Sequence, residues 1–97
     1  MKRYGIRLMP AAEADLDAIY AYIRKQSGSR TVAENYLTRL DEYLSGLELF
    51  PERGTVRSEI RKGLRIIGFE RSVSVAFTVE DNIVIVFRIL AGGRSFG

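Results

Sequence analysis

The stretch LRIIGFERSVSVAFTVEDNIVIVFRIL (residues 64–90) contains three runs of Val, Ile and Phe that short polar segments separate. This composition and punctuation predict three β-strands, over residues 64–69, 73–79 and 83–90. The polar segments between them are short enough for hairpins, so consecutive strands should pair antiparallel. The last run is apolar almost throughout, which predicts a central strand covered on both faces.

Upstream of this stretch, two segments show helical periodicity. The first is predicted to begin at Pro10, because the fixed φ of proline suits the first helical position, and to end at Gly28. Thr31 and Glu34 have the spacing of a capping box for the second helix, although Ser29 is an alternative cap. The second helix is predicted to extend to Phe50, where the following proline stops it.

A short strand is predicted over residues 4–9, and residues 52–63 read as a polar, arginine-rich connection. The predicted order is therefore β-α-α-β-β-β. Two amphipathic helices joined by a few residues form a helical hairpin, which must bury its apolar side against the sheet. We expect one domain spanning residues 1–97, of the α+β class, with the helical hairpin packed on a small, mainly antiparallel sheet.

The composition excludes several classes of function. The chain has no His and no Cys, which excludes Ser-His-Asp and Cys-His nucleophile systems and thiolate metal sites. A carboxylate pair at Glu13 and Asp17 is better explained by the helix dipole than by a metal. We therefore predict no catalytic residue, no metal and no cofactor. The absence of an apolar run of membrane-spanning length and of a signal-peptide pattern predicts a cytoplasmic protein.

Basic residues are concentrated in the second half of the chain. Residues 52–97 contain eight Lys or Arg residues against five Asp or Glu residues, whereas residues 1–51 are balanced. A local basic stripe can bind an anionic partner, and it can also be a solvated face. Four cations near the predicted strands are candidates for contacts with a target: Lys62, Arg65, Arg88 and Arg94.

Arg88 needs a separate explanation because it lies inside an apolar run. A buried arginine without a partner is costly, so Arg88 should either emerge at the surface or meet a carboxylate. Glu59 and Glu70 are the partners that we consider. An ion pair and a functional contact remain equally open for this residue.

The ordered set of motifs resembles a known family. Residues 4–23 (YGIRLMPAAEADLDAIYAYI), 47–54 (LELFPERG), 62–65 (KGLR) and 87–95 (FRILAGGRS) together look like the ParE/RelE-type toxins of bacterial toxin–antitoxin modules, and more closely like the ParE branch. The resemblance extends over nearly the whole chain.

This resemblance implies the toxin of a type II toxin–antitoxin module that acts in plasmid stabilisation and is neutralised by a cognate, ParD-like antitoxin. For the ParE branch it implies inhibition of DNA gyrase by binding, with no direct DNA binding by the toxin alone and no membrane partner. A partly disordered antitoxin segment that folds on the toxin would cover apolar surface of this small domain. The candidate antitoxin contacts are Leu16, Ile19, Tyr20, Tyr36 and Tyr43.

Three departures from the family pattern bear on activity. A family His in the tail is replaced by the Ala91-Gly92 segment, a second frequent His position is Val73, and a frequent Tyr is Phe77. Each change removes a group that could transfer a proton. Two alternatives stay open: a RelE-like, ribosome-dependent mRNA endoribonuclease that would use Lys62, Arg65 and Arg94, and a weakened or non-toxic binding module.

Overall fold

The computed structural model describes residues 4–91, which form a five-stranded mixed sheet with two α-helices packed on it. The elements are β1 (Gly5–Leu8), α1 (Pro10–Ser27), α2 (Arg30–Ser45), β2 (Thr55–Val56), β3 (Arg65–Phe69), β4 (Val73–Glu80) and β5 (Ile83–Ala91). The strands lie in the order β1-β5-β4-β3-β2. β1 runs parallel to β5 and the other pairings are antiparallel, so the predicted α+β class with a helical hairpin on a mainly antiparallel sheet is confirmed.

The boundary between the two helices agrees with the sequence prediction except for the cap of α2. α1 begins at Pro10, and the backbone N–H of Gly28 closes it by donating to the carbonyl oxygen of Arg24 (2.9 Å). Ser29, and not Thr31, caps α2: its Oγ accepts a hydrogen bond from the backbone N–H of Val32 (3.2 Å). The alternative cap is therefore the correct one, because α2 already includes residue 30.

The end of α2 comes earlier than the apolar pattern predicts. The helix stops at Ser45, and a 3-10 turn over Gly46–Glu48 follows it. Glycine is a poor helix former, which favours a change of backbone geometry at this point. Leu47 nevertheless remains fully buried, so the apolar pattern continues past the helix although the helix itself does not.

β2 was missed in the predicted element order. It has only two residues, which pair with Ile66 and Arg65 of β3, and both of its residues are exposed. A short edge strand with no buried face has no alternation of apolar and polar residues for a pattern to detect. It converts part of the predicted polar connection into a fifth strand.

The hydrophobic core lies between the helical hairpin and one face of the sheet. Phe77 and Leu40 are fully buried at its centre. Tyr43 closes one side, where its hydroxyl donates to the carbonyl oxygen of Gly68 (2.8 Å) and its ring packs against Phe69. The remaining members of the core cluster are Ala12, Ile19, Leu44, Leu47, Ile67, Val73, Val75, Val84, Val86 and Ile89.

β5 is central, as predicted, since it lies between β1 and β4. The expectation that both of its faces are covered was wrong for the part of the strand around Ile85 and Phe87. Val84 and Val86 are buried under the helices, whereas Ile85 and Phe87, which alternate with them, are only half-buried. Both helices pack on the same side of the sheet, so Ile85 and Phe87 remain partly accessible on the opposite side, whereas Leu90, further along that face, is buried.

Candidate functional site

Arg88 is held by Asp15 of α1. Its Nε donates to Asp15 Oδ2 (2.8 Å) and its second guanidinium nitrogen donates to Asp15 Oδ1 (2.9 Å), which is the bidentate geometry of a strong charge-assisted pair. These hydrogen bonds raise the pKa of Arg88 above its ordinary value, and the charge of Asp15 adds to the effect. Of the two explanations offered for Arg88, the geometry is that of an ion pair.

The partners expected for Arg88 were wrong. Glu70 accepts two hydrogen bonds from Arg39 of α2, at 2.8 and 3.2 Å, and Glu59 pairs with Arg57 in its own loop. Asp15 is far from Arg88 in sequence, and only the packing of α1 on β5 brings the two together. In each of these surface pairs the hydrogen bond from the arginine lowers the pKa of the glutamate, Glu70 or Glu59, below its ordinary value.

Arg65 leaves the sheet on the helix-covered side. It lies directly across from Phe77, and residues opposite each other in an antiparallel pair project from the same face. Phe77 is fully buried, whereas Arg65 is half-buried near the β2 edge of the sheet. Arg65 therefore sits at the rim of the core.

Lys62 is exposed in the loop that joins β2 to β3. Its neighbour Arg61 reaches β5, where its guanidinium carbon lies 4.3 Å from the centre of the Phe87 ring, a cation–π distance. The structure thus brings Arg61, which the sequence analysis did not select, onto the strand that carries Arg88. Lys62 stands beside this contact, and Arg94 lies outside the described residues.

Phe87 is an extra residue in β5. The pairing of β4 with β5 shifts by one at this point, because Ala76 is opposite Arg88 while Phe77 is opposite Val86. Such a β-bulge bends the strand and re-aims the side chains around it. The sequence carried no signal for the bulge, since an apolar run of this kind has no alternation that an insertion could interrupt.

An apolar groove lies between α1 and the end of the sheet. It has a volume of about 470 Å³, and α1, α2 and the strands β4 and β5 all contribute to its lining. Six residues define its walls: Ile19, Tyr22, Ile23, Tyr36, Val73 and Ile89. Tyr22 has 63% of its surface exposed, so the groove opens to solvent along α1.

The predicted antitoxin contacts divide between this groove and other positions. Ile19 and Tyr36 line the groove. Leu16 and Tyr43 are half-buried against the core, and Tyr20 is half-buried on α1 without lining the groove. Tyr22 and Ile23, which do line it, were not among the candidates; their positions one turn beyond Ile19 on the same helix were the available signal.

Within the described part of the chain, no group of three or more acidic residues is arranged to hold a metal ion, and no helix has the length and apolar character to cross a membrane. Two surface features of residues 4–91 could engage a partner. One is the apolar groove, and the other is the basic loop between β2 and β3.

Residues 6–96 match the model of a protein family described as the ParE toxin of the type II toxin–antitoxin system, parDE. The chain belongs to this ParE toxin family. Toxin ParE3 of Caulobacter vibrioides is a relative: it is 31% identical over 87 residues, which cover 90% of this chain and 84% of that protein. The ParE branch of the ParE/RelE superfamily, expected from the sequence motifs, is confirmed.

Solved structures agree with this family assignment. The chromosomal ParDE toxin–antitoxin system from P. aeruginosa contains a chain that superposes with a TM-score of 0.78 at 26% sequence identity, over 92% of this chain and 96% of that one. The toxin–antitoxin complex RelBE2 from Mycobacterium tuberculosis gives a TM-score of 0.64 at 15% identity, over 97% of both chains. The second similarity shows that the ParE fold of this chain is shared with RelE-type proteins.

Proposed function

We propose that this ParE-family toxin inhibits DNA gyrase by binding it, and that a ParD-like antitoxin neutralises the toxin by docking in the apolar groove along α1. The observation that carries the proposal is the match to the ParE toxin family over residues 6–96. DNA gyrase acts on DNA inside the cell, so the proposed site of action is the cytoplasm.

The antitoxin part of the proposal rests on the chemistry of the groove. A groove of about 470 Å³ lined by Ile, Val and Tyr side chains can take several apolar side chains of an amphipathic helix. Covering it would remove from water a surface that includes the exposed ring of Tyr22. Ile19 and Tyr36 are the proposed contacts in the groove; Leu16, Tyr20 and Tyr43 remain predictions for a partner that extends beyond it.

The target part of the proposal rests on charge. Lys62 is exposed on the basic loop, and Arg65 is half-buried at the rim of the sheet. We propose that these two residues and Arg94 contact gyrase. We assign no such contact to Arg88, because its guanidinium is already engaged by Asp15. Inhibition by binding needs no proton transfer, which suits a chain that contains no His and no Cys.

A gyrase supercoiling assay tests this function. The purified toxin is titrated into relaxed plasmid, gyrase and ATP, and we expect loss of supercoiled product at micromolar toxin. Lys62→Glu should raise the half-inhibitory concentration by about fivefold or more, because a charge reversal in an interface weakens both encounter and binding. Lys25→Glu is the matched control, since Lys25 is an exposed cation near the end of α1 and should leave inhibition unchanged.

Two outcomes would contradict the proposal. Full gyrase activity at tens of micromolar toxin would exclude gyrase as the target. Primer extension that reveals cuts in translated messages, lost in Arg65→Ala, would instead assign ribonuclease activity of the RelE type.

A further inference from the structure

The carboxylate of Asp15 makes a second contact besides the one to Arg88. The backbone N–H of Ile89 donates to Asp15 Oδ2 (2.8 Å), so the two carboxylate oxygens together accept three hydrogen bonds from adjacent residues of β5. The Asp15 side chain is only 12% exposed, whereas that of Arg88 is 42% exposed. Asp15 is thus the more buried partner, and the contact lies at the part-buried edge between α1 and β5.

Asp15 takes the place of a neighbouring strand at this point of β5. β1 pairs with β5 only as far as Leu8 opposite Val86, and α1 begins two residues after Leu8. β5 continues to Ala91, so its last residues have no neighbouring strand on that side. An unpaired strand edge leaves backbone donors without partners. Asp15 supplies a hydrogen-bond acceptor for the backbone N–H of Ile89, beyond the point where β1 stops pairing with β5.

The β-bulge makes this acceptor important for register. The extra residue Phe87 lies between Val86, which still pairs with β1, and Arg88, which Asp15 holds. Because side chains alternate along a strand, a slip of one residue beyond the bulge would move Ile89 out of the core. The two hydrogen bonds to Arg88 and the one to Ile89 fix this register from outside the sheet.

The same contact borders the apolar groove. Asp15, Ile89 and Ala91 line one part of it, and Ile19 and Ile23 line it from further along α1. The hydrogen bonds from Arg88 and Ile89 to Asp15 therefore fix the distance between α1 and the end of β5 at one side of the groove.

We propose that Asp15 is a positioning residue for antitoxin capture: by holding Arg88 and Ile89 of β5 against α1, it keeps the apolar groove in its binding-competent shape. It acts through β5, and its charge is neutralised by Arg88 before any partner arrives. This inference rests on the proposed function for the role of the groove, although the hold on β5 itself does not depend on that function.

The first experiment measures the hold on β5 without an antitoxin. Amide hydrogen exchange is followed by NMR in the wild type, in Asp15→Ala and in Asp15→Asn, which keeps an oxygen that can accept from Ile89. In Asp15→Ala we expect the Ile89 amide to exchange about tenfold or more faster, while the amide of Ile67 on β3, one strand further away, changes little. Asp15→Asn should give an intermediate rate.

The second experiment is a double-mutant cycle on antitoxin binding. The probe is the antitoxin that copurifies with the toxin when both are expressed from their own operon, and the dissociation constant is measured by calorimetry. Asp15→Ala and Arg88→Ala should each weaken binding by about tenfold, and the double variant should be no weaker than either single one, because both changes release the same strand. Arg57→Ala is the control, since the Arg57–Glu59 pair is another surface ion pair and neither of its residues lines the groove.

The outcomes separate the inference from the proposed function. Additive losses in the cycle would mean that Asp15 contacts the antitoxin directly and would overturn the positioning role, as would an unchanged Ile89 exchange rate in Asp15→Ala. If Asp15→Ala does not fold, Asp15→Asn carries the exchange test alone, because it removes one of the acceptor oxygens that Arg88 and Ile89 share; an Ile89 amide that then exchanges no faster than in the wild type would overturn the positioning role. If no antitoxin copurifies, the proposed function fails, while the exchange experiment still decides whether Asp15 holds β5.

Discussion

Replacing Gly54 by alanine tests whether the β2–β3 hairpin is held by close backbone packing. Gly54 has a φ of +83°, and a Cβ added there would lie 2.3 Å from the carbonyl oxygen of Ile66 and 2.5 Å from Cγ2 of Ile67. Both distances are far inside van der Waals contact. The carbonyl oxygen belongs to the backbone of β3, so it cannot move aside without moving the strand.

The magnitude follows from two costs. A non-glycine residue in the left-handed region costs about 1–2 kcal/mol, and overpacking a tight contact costs about 1–3 kcal/mol. We therefore expect Gly54→Ala to lower the free energy of unfolding by about 2–5 kcal/mol. Gly63→Ala is the control in the same hairpin: its φ is +75°, but no atom lies within 4 Å of the added Cβ, so only the first cost applies.

Urea unfolding followed by circular dichroism measures both variants. With a denaturant dependence of about 1–2 kcal/mol per molar, a loss of about 3 kcal/mol lowers the unfolding midpoint by about 1.5–3 M. The control should lose about 1–2 kcal/mol, which is a third to two-thirds of that loss. Equal midpoints for Gly54→Ala and Gly63→Ala would show that the close approach to β3 does not constrain this hairpin, and would refute the reasoning.

Three further predictions concern the core and the surface pairs. Phe77→Ala should lower the free energy of unfolding by about 3–5 kcal/mol, measured by urea unfolding, because it empties the fully buried centre of the core; a loss below 1 kcal/mol would contradict that placement. Tyr43→Phe should lower the free energy of unfolding by about 0.5–1.5 kcal/mol, because the hydrogen bond to the carbonyl oxygen of Gly68 is lost. Thermal unfolding measures this change, and an unchanged melting temperature would contradict the bond. The hydrogen bond from Arg39 lowers the folded-state pKa of Glu70 below its ordinary value. The pair therefore stabilises the protein at pH values above the ordinary glutamate pKa, and the effect is lost as the pH falls through the folded-state value. Glu70→Gln should therefore reduce stability at pH 7 and converge with the wild type in acid; a constant difference between the two at all pH values would count against the pair.

Much of the fold could be predicted from local patterns. The hairpin strands follow from apolar runs with polar punctuation, and the start of α1 follows from Pro10 because its ring suits a helix N-terminus. The two-residue strand β2 could not be predicted, since an exposed edge strand has no periodicity. The early end of α2 was missed because Leu47 continues the apolar pattern in a different backbone geometry.

The candidate site was harder to predict, because its contacts join residues that are distant in sequence. Arg88 interrupts an apolar strand, and Asp15 lies on α1 one turn from Ala12 and Ile19, both of which are buried. Arg88 is a charged residue in an apolar strand and Asp15 is a charged residue beside the buried positions of α1. The ion pair between them accounts for both. An acidic residue near the buried face of a helix and an arginine inside an apolar strand together predict such a pair, whereas Glu59 and Glu70 are closer to Arg88 in sequence but not in the fold.

The amino-acid sequence by itself determined the class of the fold, the central position of β5 and the family, because these depend on periodicity and on motifs that recur along one chain. Only the tertiary structure decided which carboxylate neutralises Arg88, where the bulge at Phe87 lies, and that α1 and the end of β5 enclose a groove. The physical reason is the same in each case. Hydrogen bonds and packing between distant segments depend on how the helices settle on the sheet, and no local pattern records that docking.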